Sequence, residues 1–167
     1  MGRTILVPID PSETCKLALK FYTDNLFNKD DTLIFLHVID PTSKKMVGEE
    51  KKEELRDNSV SNITAQRVLD NGKALTHKYL AWGRDVGINV KAFVQSDAKS
   101  AVAILNVARE HCVDHIIMAS RGLNALGRTF MGSVSNYVVH HSTVPVTVVP
   151  CPNEDKPTRG FRRFSLH

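Results

Sequence analysis

Residues 119–135 read ASRGLNALGRTFMGSVS: three glycines, two arginines and several hydroxyl side chains between apolar flanks. On its amino side stands HIIMAS (115–120), a short apolar run with strand character. On its carboxyl side, GSVSNYVVHHS (132–142) has the composition of a short helix, and VPVTVV (144–149) is again a strand. A glycine-rich link from a strand into a helix is the hallmark of a parallel α/β sheet, where the crossover returns over the sheet face. Pro145 lacks the N–H that an interior ladder needs, so the last strand is placed at a sheet edge.

The same alternation runs back to the start of the chain. TILVPID (4–10) forms a first strand, and residues 12–26 a helix with Leu17, Ala18, Phe21, Tyr22 and Leu26 at three- and four-residue spacings. TLIFLHVI (32–39) is almost uninterrupted apolar sequence, as expected of a strand covered on both faces. A polar excursion over 41–60, with a charged run from Lys44 to Arg56 read as a solvated face, precedes a helix over 60–85. INVKAFVQ (88–95) is the third strand. Residues 97–112 form the next helix, with Asp97 as its N-cap and Ala101, Ile104, Leu105 and Ala108 on its buried stripe. Trp82, at helical spacing from Tyr79, is expected in the core or an interface.

With 167 residues the chain is long enough for one α/β domain over 1–150, followed by a basic, mobile tail over 151–167. No run of about 18 apolar residues spans a membrane, and the opening residues read as a strand rather than an apolar leader. A cytoplasmic protein is expected. Part of the net charge of +4 sits in the tail, and the folded part has no basic stripe with interleaved aromatics, so nucleic acid is not an expected partner. Cys15, Cys112 and Cys151 form no C-x-x-C pair, which fits reduced thiols. Cys15 and Cys112 fall within the expected helices and are read as inert. His111 and His115 stand four apart but with the helix end between them and no third ligand evident, so no metal is expected. His140 and His141 suit the last turn of a helix, where positive charge complements the dipole.

The quoted segment opens a helix at Gly132-Ser133, beyond the carboxyl end of a strand, where open parallel sheets bind ligands. A helix start offers N–H groups without intrahelical acceptors to an anion. Gly122 and Gly127 allow close approach of the backbone, Ser133 and Ser135 carry hydroxyls, and Arg121 or Arg128 can supply positive charge. On the residues alone two readings stand: a phosphate cradle, or turn glycines with Ser133 as an N-cap. A Walker A loop is excluded, because no lysine precedes Gly132-Ser133.

Gly122 and Gly132 are separated by nine residues and Gly132 is followed by Ser133; VPIDPSE opens the chain, LHVID ends the second strand and VPVTVVP closes the domain. These four motifs, in this order, resemble the universal stress protein (UspA-type) family, ATP-binding branch, over nearly the whole length to Pro150. The resemblance implies one doubly wound, five-stranded parallel α/β sheet, order 3-2-1-4-5, with helices on both faces. It implies ATP, with or without Mg, as cofactor. Pro8, Ile9 and Asp10 match the first strand end, with the carboxylate facing the ribose. Val38 matches the position whose backbone recognises the adenine edge, and Met118 one that lines base and ribose. Gly122, Gly132, Ser133, Val134 and Ser135 match the phosphate-binding turn and helix start. Ala119 stands where the family has glycine, which is compatible with binding if its φ is negative. The family's dimers pair through the last strand, which here is residues 144–149. The implied function is a stress-response protein using ATP as a switch or stability ligand, with at most slow hydrolysis. The alternative is a nucleotide-independent dimeric interaction protein of the same fold.

Overall fold

The computed structural model describes residues 2–41, 58–120 and 131–151, with residues 58–64 described by their backbone alone. Five strands alternate with four helices: β1 (Thr4–Pro8), α1 (Cys15–Asn25), β2 (Thr32–Ile39), α2 (Asn58–Val86), β3 (Asn89–Ser96), α3 (Ser100–Glu110), β4 (His115–Ser120), α4 (Ser133–His141) and β5 (Val146–Pro150). The sheet order is β3-β2-β1-β4-β5 and every pairing is parallel. The expected order and winding are therefore those observed, and β5, preceded by Pro145, lies at an edge.

The strands are apolar at consecutive positions because successive side chains enter opposite layers. Ile5, Val7, Leu33, Phe35 and Ile117 pack with Ala18, Leu19, Tyr22, Tyr79 and Trp82 beneath α1 and α2. Leu6, Ile34, Leu36, Ile116 and Met118 pack with Ile104, Val107 and Val138 beneath α3 and α4. The first layer is aromatic: Phe35 lies 4.9 Å from Tyr79 and 6.1 Å from Trp82, ring centre to ring centre. Trp82 is thus in the core, as expected.

Several boundaries differ from expectation, each for a local reason. The first helix starts at Cys15 rather than at 12, because Asp10 Oδ1 accepts from the Ser12 amide at 2.9 Å and from the Ser12 hydroxyl, closing a turn. Asp97 is not an N-cap. Its Oδ1 accepts from the Lys99 amide at 2.7 Å, and α3 begins three residues later than expected. Helix α2 begins at Asn58, inside the expected polar excursion. The excursion's residues 42–57 and the tail's residues 152–167 lie outside the described residues. β5 starts at Val146 because Val144 is engaged with Ser142, whose hydroxyl donates to its carbonyl at 2.8 Å.

Cys112 is not in a helix and is exposed. Helix α3 ends at Glu110, Cys112 takes φ +48°, and the Val113 amide donates back to Ala108 C=O at 2.9 Å. That is a Schellman ending, usually built on glycine. Helix α2 closes identically with Gly87 at φ +74° and the Ile88 amide on Gly83 C=O at 3.0 Å.

Candidate functional site

β1 and β4 are the neighbours from which the sheet winds in opposite directions, so the crossovers leave a crevice past their carboxyl ends. A cavity of about 250 Å³ lies there. Past β1 it is lined by Pro8, Ile9 and Asp10; from β2 by Leu36 and Val38; from β4 by Met118 and Ala119; and from the start of α4 by Gly132, Ser133, Val134 and Ser135. Ten of the fourteen residues singled out from the sequence thus line one cavity, although they are spread over 128 positions from Pro8 to Ser135. The other four, Arg121, Gly122, Gly127 and Arg128, lie outside the described residues.

The β1 wall is tied down by backbone and side chains together. The Ile9 amide donates to Leu36 C=O at 2.8 Å. His37 Nδ1 lies 3.0 Å from Ile9 C=O; a carbonyl only accepts, so Nδ1 carries the proton. Cys15 Sγ lies 3.1 Å from both Asp10 C=O and Ser12 C=O, and 2.9 Å from the Tyr79 hydroxyl. Burial pushes the Cys15 thiol up, and burial followed by the bond to Cys15 pushes the Tyr79 phenol up. Both groups are therefore neutral and protonated at physiological pH. This agrees with the reading of Cys15 as inert, since a thiolate would face two carbonyl oxygens.

At the opposite wall Gly132 is the N-cap of α4 at φ −59° and ψ 157°, angles open to any residue. A Cβ placed there would meet only the Ser135 hydroxyl, at 3.7 Å, so nothing in the described protein requires glycine at 132. The first-turn amides of Ser133, Val134 and Ser135 have no acceptor within the helix. Ser133 opens the helix rather than capping it, and no side chain caps α4. Ser135, expected to offer a hydroxyl donor, instead donates to Gly132 C=O at 3.1 Å. Ala119 lies in β4, paired with Val149; among the described non-glycine residues only Cys112 has positive φ, so the extra methyl is unstrained. Among the described lining residues Asp10 is the one carboxylate, and none is a lysine or arginine.

Thr14, Cys15, Leu36, Ser100 and Ile104 also line the cavity and were not anticipated. Leu36 and Ile104 look like ordinary core positions in the sequence. Thr14, Cys15 and Ser100 stand at helix starts, all of which face the carboxyl edge in a parallel sheet, so the topology contained a usable signal.

Three further histidines have local partners. The His111 ring stacks on Phe93 at 4.8 Å, and His115 Nε2 lies 2.9 Å from Thr147 Oγ1. His141 stacks on Tyr137 with its Nδ1 2.8 Å from the Tyr137 carbonyl, in the last turn of α4. Among the described residues no three His, Cys, Asp or Glu side chains come together as a metal site.

Residues 1–150 match the universal stress protein family. The chain belongs to that family. A curated universal stress protein of Methanocaldococcus jannaschii is 30% identical over 163 residues, covering 92% of this chain and 98% of the relative. Its solved structure superposes with a TM-score of 0.73, covering 92% of this chain and 99% of that one. An Arabidopsis thaliana universal stress protein with AMP bound shares the fold at 20% identity, with a TM-score of 0.63 and coverage of 95% and 97%. A universal stress protein in complex with cAMP shares it at 15% identity, with a TM-score of 0.55 and coverage of 89% and 97%. Adenine nucleotides are thus found on this fold in other universal stress proteins. No helix among the described residues is long and apolar enough to cross a membrane.

Proposed function

We propose that this universal stress protein binds ATP, with or without Mg, in the cavity past β1 and β4, and that the nucleotide serves as a switch or stability ligand. The observation that carries the reading is Gly132. Its conformation suits any residue and, among the described residues, its Cβ position meets only the Ser135 hydroxyl, which leaves room for a ligand at the first-turn amides of α4. The AMP and cAMP complexes of other members support an adenine nucleotide. Phosphates would sit against the amides of Ser133, Val134 and Ser135, with Gly122 and Arg121 as further contacts. Asp10 would accept from ribose hydroxyls, and Val38 and Met118 would flank the base. Hydrolysis needs charge clamps and a group to orient water; Asp10 is the carboxylate of the described lining and Arg121 lies outside the described residues, and we propose that turnover is at most slow.

The test is the melting temperature of the full chain with and without millimolar Mg-ATP, with Gly132→Val alongside. A ligand at about 100 times its Kd adds about 2.7 kcal/mol, which raises Tm by roughly 5–10 °C in a domain of this size. The variant should melt at the wild-type temperature without nucleotide and show no rise with it. A wild type that folds but does not respond would overturn the reading.

The position of β5 at the edge of the sheet favours a second reading, pairing of two copies to extend the sheet. The Ile116 amide donates to Pro145 C=O, so by alternation the Val148 backbone faces away from β4. Val148→Pro should leave the monomer folded and abolish a dimer in sedimentation. If that dimer forms and ATP changes nothing, the protein acts as a nucleotide-independent interaction module.

A further inference from the structure

We propose that α2, none of whose described side chains lines the cavity, positions the Ile9–Asp10 turn through two contacts on one of its faces: Tyr79 acting through Cys15, and Gly72 acting through His37. The inference rests on the nucleotide reading for its ligand, and on geometry alone for the turn.

The first contact is a directed chain. The Cys15 thiol has one proton and faces two carbonyl oxygens that only accept, so that proton is given to a carbonyl. The Tyr79 hydroxyl must then donate to Sγ, at 2.9 Å. Tyr79 is 4% exposed and Cys15 is 5% exposed, so water does not compete for either group. The result is an unbroken line of hydrogen bonds from the middle of α2 to the carbonyls of the turn. Cys15 also lines the cavity itself, so the chain ends at the ligand's side.

The second contact is steric. A Cβ at Gly72 would lie 3.0 Å from His37 Cδ2, 3.2 Å from Val94 Cγ1 and 3.3 Å from Ile39 Cδ1. The missing side chain lets α2 press on the His37 ring while Nδ1 donates to Ile9 C=O. Gly72 and Tyr79 are seven residues apart, two turns along one face. Ile9 is thus held at its carbonyl by His37, and the turn at Asp10 or Ser12 C=O by Cys15, each a side chain that α2 holds in turn. Any displacement of α2 reaches the cavity wall, and by reciprocity a bound nucleotide steadies α2.

The test uses the full chain, calorimetric titration with Mg-ATP, and hydrogen exchange at the Ile9 and Ser12 amides. Those amides report the turn directly, because they donate to Leu36 C=O and to Asp10 Oδ1. Tyr79→Phe and Cys15→Ala should each raise the Kd about fivefold, the worth of one hydrogen bond, and speed exchange at both amides while β1 stays protected. The double variant should be no weaker than either single one, since both cut the same chain. Cys15→Ser keeps a donor and an acceptor and should restore binding. Gly72→Ala should weaken binding independently of Tyr79. Unchanged Kd and unchanged exchange in the folded Tyr79→Phe and Cys15→Ala variants would overturn the proposal. If the wild type gives no heat with Mg-ATP, the nucleotide reading fails. Exchange at Ile9 and Ser12 then decides the positioning role alone: faster exchange in the variants upholds it and unchanged exchange overturns it.

Discussion

The two ends of the sheet treat their polar groups in opposite ways. At the amino end, Asp31 is wholly buried and fully engaged. It accepts from the Arg3 amide at 2.8 Å, from Arg3 Nε at 3.2 Å, from Arg3 Nη2 at 2.6 Å and from the Tyr22 hydroxyl at 3.1 Å. Arg3 Nη2 also donates to Leu26 C=O at 2.7 Å, and Asp114 takes the Thr4 amide at 2.7 Å. At the carboxyl end a cavity lies against the start of α4, whose first-turn amides have no acceptor within the helix and, among the described residues, no side-chain cap. Strand direction makes the difference: helices following parallel strands begin at the carboxyl edge, which collects their donor-rich ends. One end closes the fold, and the other lines the cavity.

The contrast breaks most forcefully at Asp31. Asp31→Ala removes the buried carboxylate shared by Arg3 and the Tyr22 hydroxyl, leaving them Leu26 C=O and Asn28 C=O, and should cost about 3 kcal/mol, the low end for a broken buried pair because Arg3 is partly exposed. Chemical denaturation measures it; a loss under about 1 kcal/mol would show the amino end to be dispensable. Gly132→Val tests the other end, where the expected loss is the ligand's contribution of about 2.7 kcal/mol at 100 times Kd with the apo stability intact.

Acid should attack the amino end in two windows. Burial, then the charge of Arg3, lower the His115 pKa, so the unfolded chain takes up that proton first. The His115 contribution is whole above about pH 6.5 and declines as pH falls through the folded value. Burial alone would raise the Asp31 pKa, but the bonds and charge of Arg3 outweigh it and lower it; that contribution is whole above about pH 4 and is lost on further acidification. His115→Gln should flatten the slope of stability against pH just below 6.5. An unchanged slope would remove His115 from the account. The Tyr22 phenol, raised to about 12 by burial, does not titrate in either window.

The smallest effect belongs to the Schellman pair. Cys112→Gly should stabilise by roughly 0.5–1 kcal/mol, the relief of a left-handed residue less the entropy of glycine in the unfolded chain. Unchanged or lower stability would mean that the Cys112 side chain offsets its backbone cost.

How much was legible follows from what kind of signal each feature leaves. β2 and β4 occupy the expected residues because uninterrupted apolar runs between polar residues mark a doubly covered strand. The starts of α1 and α3 were misplaced because Asp10 and Asp97 close turns, and a carboxylate two residues before an amide looks the same in sequence as one capping a helix. Cys112 was misplaced because positive φ on a non-glycine residue leaves no mark in composition. The cavity residues from the motifs were legible as a set, whereas Thr14, Cys15 and Ser100 became visible only through the topology.

By itself, the sequence determined the alternation of elements, the two-faced core and the edge position of the last strand. The first two follow from periodicity and burial pattern, which are properties of short segments; the edge was expected from Pro145, which in the structure precedes β5 and turns its carbonyl to β4. Only the tertiary structure decided what each polar group faces. Asp31 is a sealed structural charge while Asp10 lines the cavity, and Ser135 spends its proton on its own helix. Cys15 and Tyr79, 64 residues apart, form one line of hydrogen bonds. Hydrogen-bond partners are set by distances of about 3 Å between segments remote in sequence, and no local pattern encodes such distances.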